Sequence, residues 1–104
     1  SFGAVVALIR ARDTDHAIEL ANDSEYGLSA AIFIRDIAKG LTLARRICSG
    51  ICHVNGLTVH DEAQMPFGGV GASGYGRFGG RQGIDSFTET RWITVETQPG
   101  HFPI

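Results

Sequence analysis

The residues best suited to covalent chemistry are two cysteines and two histidines near the middle of the sequence. Cys48 and Cys52 stand four positions apart, and His53 and His60 follow them. A zinc site would need a second pair of ligands at finger-like spacing, which the sequence lacks. A nucleophilic thiol needs a base or a helix N-terminus to lower its pKa, whereas Cys48 is predicted at a helix C-terminus and Cys52 in a strand. We therefore expect neither a metal site nor a catalytic cysteine.

Three further side chains between positions 60 and 70 could face a ligand. Asp61 and Glu62 could act as a general acid or base, although a loop carboxylate is more often simply solvated. Phe67 follows Pro66 and precedes two glycines, which can hold an aromatic ring rigidly while the backbone approaches a neighbour closely. That arrangement suits either the wall of a ligand site or an aromatic plug under a loop, and the spacing leaves both alternatives open.

Glycine is the most unusual feature of the composition. Fourteen of the 104 residues are glycine, and nine of them fall between positions 56 and 83. The pattern G-x-G-x-x-G occurs twice there, at 69–74 and at 74–79. In a dinucleotide-binding fold this pattern follows a strand and opens a helix, whose N-terminus meets the pyrophosphate. Neither neighbour is predicted here, so we interpret the match as fortuitous and expect no phosphate cradle.

Length, charge and cysteine content exclude several classes of protein. The 104 residues make one domain at most, and a hydrophobic share of 43% is ordinary for a globular chain. The formal charge of −2 leaves no basic stripe for nucleic acid. No apolar run approaches about 18 residues, so no membrane-spanning helix is expected. Two cysteines make no disulfide framework, which predicts a reducing compartment and a cytoplasmic location.

The first half of the chain predicts an α/β fold with the order βαβαβ. Strands alternating with helices imply a parallel sheet with right-handed crossovers. We predict strands at Ala4–Ile9, Leu28–Ile34 and Ile51–Val54, a helix from the cap Asp13 to Asn22, and a second helix capped by Asp36. Gly27 is predicted in a left-handed turn, and Gly50 after the second helix as its C′ residue. Because the first strand begins almost at position 1, we interpret that position as a cut in a longer protein.

The second half predicts little regular structure. After Asn55 comes the glycine-rich segment, then a short helix near Gly83–Phe87 and a strand at Arg91–Thr97. That last strand has no hairpin partner in the sequence, so we expect it to pair with another chain. The predicted divisions are an α/β part at 1–55, a glycine-rich loop and short helix at 56–90, and a strand with its tail at 91–104.

Several segments, in order, resemble the C-terminal part of the NAD(P)-dependent aldehyde dehydrogenase superfamily. The most specific is Pro66–Gly69, and Asn22–Leu28 resembles the stretch N-x-x-x-Y-G-L of that family. This stretch continues to Ala30 and Phe33. The other matching segments are Phe2–Gly3 with Val5; Gly50 with Val54–Asn55; Ser73–Gly74; Gly76–Arg77; and Phe87–Thr88. The run Gly74–Gly79, with Arg91–Trp92, further resembles the bacterial branch that oxidises aromatic aldehydes such as benzaldehyde, vanillin or salicylaldehyde. Gly71 stands where the family often has a lysine.

The resemblance implies a cofactor and a substrate for the parent protein. The cofactor would be NAD or NADP, with Phe2 beside the nicotinamide ring, and the chain alone would bind it weakly or not at all. Phe67 matches a phenylalanine that lines the aldehyde pocket, and the substrate-entrance loop corresponds to Leu57, Thr58, Val59 and His60. The strand Arg91–Thr97 resembles one that joins subunits, which implies a homo-oligomer. The family's nucleophilic cysteine, general-base glutamate, oxyanion-stabilising asparagine and Rossmann domain have no match here.

The function implied is therefore that of one part of a larger oxidoreductase. The parent would oxidise an aldehyde to a carboxylic acid with NAD(P)⁺ through a cysteine thioester. The chain alone is predicted to be inactive, because it lacks the nucleophile and the cofactor domain. The alternative is a non-catalytic binding or assembly module that retains the fold. A third hypothesis, a dinucleotide-binding domain that uses the glycine loop, is weaker.

Overall fold

The structure, a computed structural model, describes residues 3–101. Three helices and four short strands follow one another along this part of the chain. In order they are α1 (Thr14–Asn22), β1 (Tyr26–Gly27), β2 (Ser29–Ile32), α2 (Ile37–Ala44), β3 (Ile51–Val54), β4 (Val70–Gly71) and α3 (Gly80–Asp85). Among these residues no helix is both long and apolar enough to cross a membrane.

The two longer helices begin where their capping residues predict. The carboxylate of Asp13 accepts a hydrogen bond from the backbone N–H of His16 at 2.8 Å, and that of Asp36 accepts one from Lys39 at 3.0 Å. Each bond satisfies one of the N–H groups that a helix leaves unpaired in its first turn. The third helix starts at Gly80 rather than at Gly83, because the N–H of Gly80 donates to the carbonyl of Ala63 and fixes the turn earlier.

The strands β2 and β3 form a parallel pair joined by α2. Their register runs from Ser29 opposite Ile51 to Ile32 opposite Val54. The helix packs closely on this pair, since a Cβ added at Gly40 would lie 2.9 Å from the nearer methyl of Val54. This unit confirms the second half of the predicted βαβαβ order, although β2 is shorter than the predicted strand Leu28–Ile34.

A second, antiparallel ladder was not predicted. The strand β1 pairs with β4, so that Tyr26 lies opposite Gly71 and Gly27 opposite Val70. The left-handed turn predicted at Gly27 is wrong, because this glycine is part of a strand and does not have a positive φ. It is required for space instead, since its Cβ would lie 2.5 Å from the carbonyl oxygen of Cys48.

Two predicted strands, Ala4–Ile9 and Arg91–Thr97, are not strands in the structure. Within residues 3–101 neither segment pairs with another strand, and both lie largely exposed, with Leu8 93% and Trp92 89% accessible. Apolar and β-branched residues favour a strand, but a strand forms only where a neighbour supplies hydrogen bonds. The described part of the chain therefore contains one βαβ unit and a two-stranded ladder, in place of a three-stranded parallel sheet.

Candidate functional site

Two adjoining cavities lie between the βαβ unit and the loop that follows β3. The larger has a volume of about 430 Å³ and the smaller about 320 Å³. Both are lined by Phe67, His60 and Asp61. The larger is completed by Gly50–His53, Glu62 and Met65–Pro66, and the smaller by Leu28–Ser29 and Thr58–Val59. A volume of this size is within the range of small-molecule sites.

Phe67 is held at this position by a reciprocal pair of backbone hydrogen bonds with Phe78. Its N–H donates to the carbonyl of Phe78, and the N–H of Phe78 donates back, each at 2.7 Å. Gly68 lets the two segments approach, because a Cβ there would lie 2.5 Å from the carbonyl oxygen of Gly76. The guanidinium of Arg77 donates to the carbonyl of Gly69 at 2.8 Å. The half-buried ring is thus presented by a braced hairpin rather than by a free loop.

The loop that follows β3 is anchored at its start and again at Thr58. Asn55 has φ 58°, and its side chain both accepts from the N–H and donates to the carbonyl of Ile34, each at 2.8 Å. Further along, the hydroxyl of Ser29 donates to the carbonyl of Thr58 at 2.7 Å. These bonds tie the loop to the first residue of β2, Ser29, and to Ile34, two positions past the end of that strand.

The predicted substrate residues divide into those that reach the cavities and those that do not. Thr58, Val59 and His60 line the smaller cavity together with Phe67. Leu57 lines neither cavity and is 73% exposed. Phe2, the residue that the resemblance places beside a cofactor, lies outside the described residues.

A histidine–carboxylate pair forms the polar side of the larger cavity. Nε2 of His60 lies 3.0 Å from Oε1 of Glu62, whose other oxygen accepts from the amide of Gln64. The ring of His60 also meets that of His53 edge to face, with centroids 5.7 Å apart. Nε2 of His53 is buried and has no hydrogen-bond partner among residues 3–101. Unpaired buried polar atoms are rare in folded proteins, and they are more frequent at functional sites.

The two cysteines do not have the environment of nucleophiles. Cys52 lies in β3 against the larger cavity, and burial raises the pKa of its thiol, which reduces the fraction present as thiolate. Cys48 lies at the surface beyond the end of α2, where its backbone N–H is held by the side chain of Asn22. Within the described ranges no group of three or more His, Cys, Asp or Glu side chains is arranged to hold a metal ion.

The glycine-rich segment does not fit a dinucleotide. The strand before it, β4, has only two residues, and the helix after it, α3, has six and no side-chain cap. The segment is instead folded against Phe67 through the contacts of Arg77 and Gly68. The residues described here thus offer no cradle for the pyrophosphate of NAD or NADP.

One residue at the cavities, Ser29, and one pairing, that of Glu62 with His60, were not predicted. Ser29 is distant from the loop in sequence, and only the parallel pairing of β2 with β3 brings it to Thr58. Glu62 was expected to be a solvated carboxylate or an acid–base group, and its pairing with His60 was not foreseen. A histidine and a glutamate two positions apart in a loop are a weak signal, because loop conformation decides whether they meet.

Comparison with known proteins gives a consistent family assignment. The model of the aldehyde dehydrogenase family matches residues 1–93. Over its whole length the chain is 59% identical to vanillin dehydrogenase of Pseudomonas fluorescens, of which it covers 22%. It is 45% identical over 103 residues to benzaldehyde dehydrogenase [NAD(+)] of Pseudomonas putida, covering 98% of this chain and 21% of that enzyme.

A solved structure agrees with these similarities. The crystal structure of a salicylaldehyde dehydrogenase from Pseudomonas putida G7, complexed with salicylaldehyde, superposes with a TM-score of 0.88 at 48% identity. The superposition covers 92% of this chain and 20% of that protein. The chain spans about a fifth of the length of the curated relatives it matches. Because the family model covers nearly all of it, the chain belongs to the aldehyde dehydrogenase family.

Proposed function

We propose that this chain forms one side of the aldehyde site of an enzyme that oxidises aromatic aldehydes to carboxylic acids. The oxidant would be NAD or NADP, and the attacking cysteine would come from a part of the parent protein outside this chain. The proposal is supported by the family assignment and by similarity to enzymes named for vanillin, benzaldehyde and salicylaldehyde. The order of the matched motifs further favours the C-terminal part of such an enzyme.

One observation carries this proposal: Phe67 is braced by its pairing with Phe78 and lines both cavities. A fixed aromatic face can stack on the ring of an aromatic aldehyde, and such contacts contribute about 0.5–1.5 kcal/mol beyond burial. Thr58, Val59 and His60 would then close the entrance side of the site, with Leu57 at its outer edge. In this role the chain binds and orients the aldehyde and excludes water. The groups that make and break bonds, the attacking cysteine among them, come from parts of the parent protein outside this chain.

The proposal extends to the cofactor, the subunit contact, the divisions of the chain and its compartment. We propose that Phe2 packs beside the nicotinamide, and that Arg91–Thr97 pairs with a neighbouring subunit in a homo-oligomer. The divisions at 1–55, 56–90 and 91–104 then correspond to the α/β part, the substrate-side loop with its short helix, and the assembly strand. The cytoplasm would be the compartment, consistent with two free cysteines.

The proposed role of Phe67 is tested by its replacement in the full-length enzyme. In Phe67→Ala we expect kcat/KM for benzaldehyde to fall about tenfold, mainly through KM, because the stacking contact is lost. Propanal, which has no ring, should be affected much less. Steady-state kinetics with both aldehydes measure the difference.

A second phenylalanine gives the matched control. Phe33 lines neither cavity and is 71% exposed, so Phe33→Ala should leave the preference for benzaldehyde over propanal unchanged. If Phe67→Ala retains the benzaldehyde kinetics of the parent enzyme, Phe67 is a plug under the loop and not a wall of the aldehyde site.

The alternative, a non-catalytic assembly module, is favoured by one feature. The segments 4–9 and 91–97 expose large apolar side chains that suit a partner surface. The two functions are distinguished by the codons upstream of Ser1. A family-type cysteine nucleophile encoded there supports the enzyme, whereas a natural start codon at or near Ser1 supports the module.

A further inference from the structure

A serine in the glycine-rich segment is hydrogen-bonded to a strand that is distant in sequence. The backbone N–H of Gly27, in β1, donates to the hydroxyl oxygen of Ser73 at 2.9 Å, across 46 positions of the chain. The carbonyl of Gly27 accepts from the N–H of Gly50 at 2.9 Å, directly before β3. One buried glycine thus links Ser73 to the strand that forms a wall of the larger cavity.

The same serine packs against the hairpin that presents Phe67. A Cβ added at Gly69, two positions after Phe67, would lie 2.5 Å from the Cβ of Ser73. It would also lie 3.3 Å from the carbonyl oxygen of Gly27. Because Gly69 is buried against both residues, the bond between Ser73 and Gly27 restrains the backbone that leads out of Phe67.

This restraint differs from the pairing of Phe67 with Phe78. That pairing joins the two arms of the hairpin to each other and does not attach the hairpin to another element. The attachment to β1 consists of the two-residue ladder with β4, the N–H of Ala72 on the carbonyl of Glu25, and the bond from Gly27 to Ser73. Of these contacts only the last involves a side chain, so it can be removed by a substitution that leaves the backbone groups in place.

We propose that Ser73 is a positioning residue for the aldehyde site, whose hydroxyl holds the hairpin where Phe67 meets the ring of the substrate. The inference rests on the proposed function. Ser73 lines neither cavity, so its effect on the substrate is transmitted through Phe67. Loss of the bond should weaken the preference for aromatic aldehydes and leave the reacting groups unchanged.

The first test is Ser73→Ala in the full-length enzyme. A ring that is displaced but retained should lose less than one that is deleted, so we expect kcat/KM for benzaldehyde to fall about threefold, mainly through KM. The value for propanal should change much less, because propanal has no ring to stack. Steady-state kinetics give the ratio of the two values. A role confined to stability would lower the midpoint of urea unfolding and leave this ratio unchanged.

The second test is a double-mutant cycle between Ser73 and Phe67. If Ser73 acts through the ring, Ser73→Ala should not lower the ratio further in an enzyme that already carries Phe67→Ala, because no ring remains to be positioned. An equal effect of Ser73→Ala in both backgrounds overturns the inference, since Ser73 would then act independently of Phe67.

Two variants show whether the hydroxyl itself is responsible. Ser73→Thr keeps a hydroxyl acceptor and should retain the ratio of the parent enzyme. Ser86 is exposed, and its hydroxyl donates to the carbonyl of Gln82 at 2.9 Å, so Ser86→Ala removes a local bond of α3 and is the matched control. If Ser73→Ala is too unstable to assay, Ser73→Cys gives the same comparison, because sulfur is a weak acceptor in a side chain of similar shape.

The outcomes separate this inference from the proposed function. A lower ratio in Ser73→Ala that is retained in Ser73→Thr and is absent from the Phe67→Ala background supports the role of Ser73. An unchanged ratio in Ser73→Ala, or an equal loss in Ser73→Thr, overturns that role, and the proposed function stands if Phe67→Ala still lowers the ratio. An enzyme that oxidises no aromatic aldehyde overturns both.

Discussion

At the scale of single residues, Gly50 is required because the backbone of another segment lies directly against it. A Cβ at Gly50 would lie 1.8 Å from the carbonyl oxygen of Gly68 and 2.9 Å from the Cα of Gly69. Gly50 itself does not have a positive φ, so its predicted place as a left-handed C′ residue is not what the structure shows. This contact joins the start of β3 to the hairpin that presents Phe67.

A substitution at Gly50 should therefore disturb both stability and the site. In Gly50→Ala we expect a loss of about 3 kcal/mol in the free energy of unfolding, because the added methyl meets backbone that cannot move aside. The KM for the aldehyde should rise as well, since the hairpin that carries Phe67 is displaced. Unfolding in urea and steady-state kinetics of the full-length enzyme measure these effects.

The control for this prediction is a glycine with space around it. The nearest atom to a Cβ at Gly83, in α3, is 4.0 Å away. Because alanine favours a helix over glycine by about 1 kcal/mol, Gly83→Ala should be neutral or slightly stabilising. Equal stability of the two alanine variants would contradict the account of Gly50.

At the scale of the elements, Asn55 connects the parallel strands to the loop that follows β3. Its N–H donates to the carbonyl of Ile32 at 2.8 Å, which extends the pairing of β2 with β3 by one step. Its side chain then binds both backbone groups of Ile34, and its φ of 58° turns the chain into the loop. Asparagine tolerates this left-handed conformation better than most residues with a side chain.

The two contributions of Asn55 can be separated by two substitutions. Asn55→Ala removes both side-chain hydrogen bonds and leaves a residue that tolerates the left-handed conformation less well than asparagine, so we expect a loss of about 3 kcal/mol in unfolding free energy. Asn55→Gly removes the same bonds but relieves the backbone strain, and should recover about 1 kcal/mol of that loss. Urea unfolding of the full-length variants measures both. Identical losses would show that the backbone conformation contributes nothing.

At the scale of the whole molecule, the chain lacks the compactness of an independent domain. Its radius of gyration is 21.1 Å, whereas a compact chain of this length has about 13 Å. Only Ile18 and Leu43 are buried hydrophobic residues among those described, while Val5, Leu8 and Trp92 lie more than four-fifths exposed. These apolar surfaces are the ones that a larger protein or a partner subunit would cover.

The isolated chain should accordingly be inactive and prone to association. We expect the 104-residue chain to produce no NADH from benzaldehyde, because among residues 3–101 neither cysteine has the environment of a nucleophile and the glycine-rich segment forms no cradle for the cofactor. It should also bind a hydrophobic dye strongly and elute from a sizing column ahead of a compact monomer. Cysteine-dependent NADH production by the isolated chain would contradict the first expectation, and a compact, dye-free monomer the second.

The sequence alone determined the features that depend on neighbours a few positions away. The helix caps lie where local patterns predict them, at Asp13 and Asp36, because each cap bonds to an N–H three residues away. The strand Ile51–Val54 also lies where it was predicted, because its partner belongs to the same βαβ unit. Pro66 and the glycines after Phe67 predicted a rigid setting for its ring, whereas the pairing with Phe78 that braces it was not predicted.

Only the tertiary structure decided which distant segments meet. It paired β1 with β4, brought Ser29 to Thr58, and aligned His53, His60 and Glu62 around one cavity. It also left the segment at 4–9 without a strand partner among the described residues, against the prediction that this segment joins the parallel sheet. The physical reason is the same in each case: a β-ladder or a cavity wall needs a surface that another part of the chain supplies, and sequence periodicity does not specify that surface.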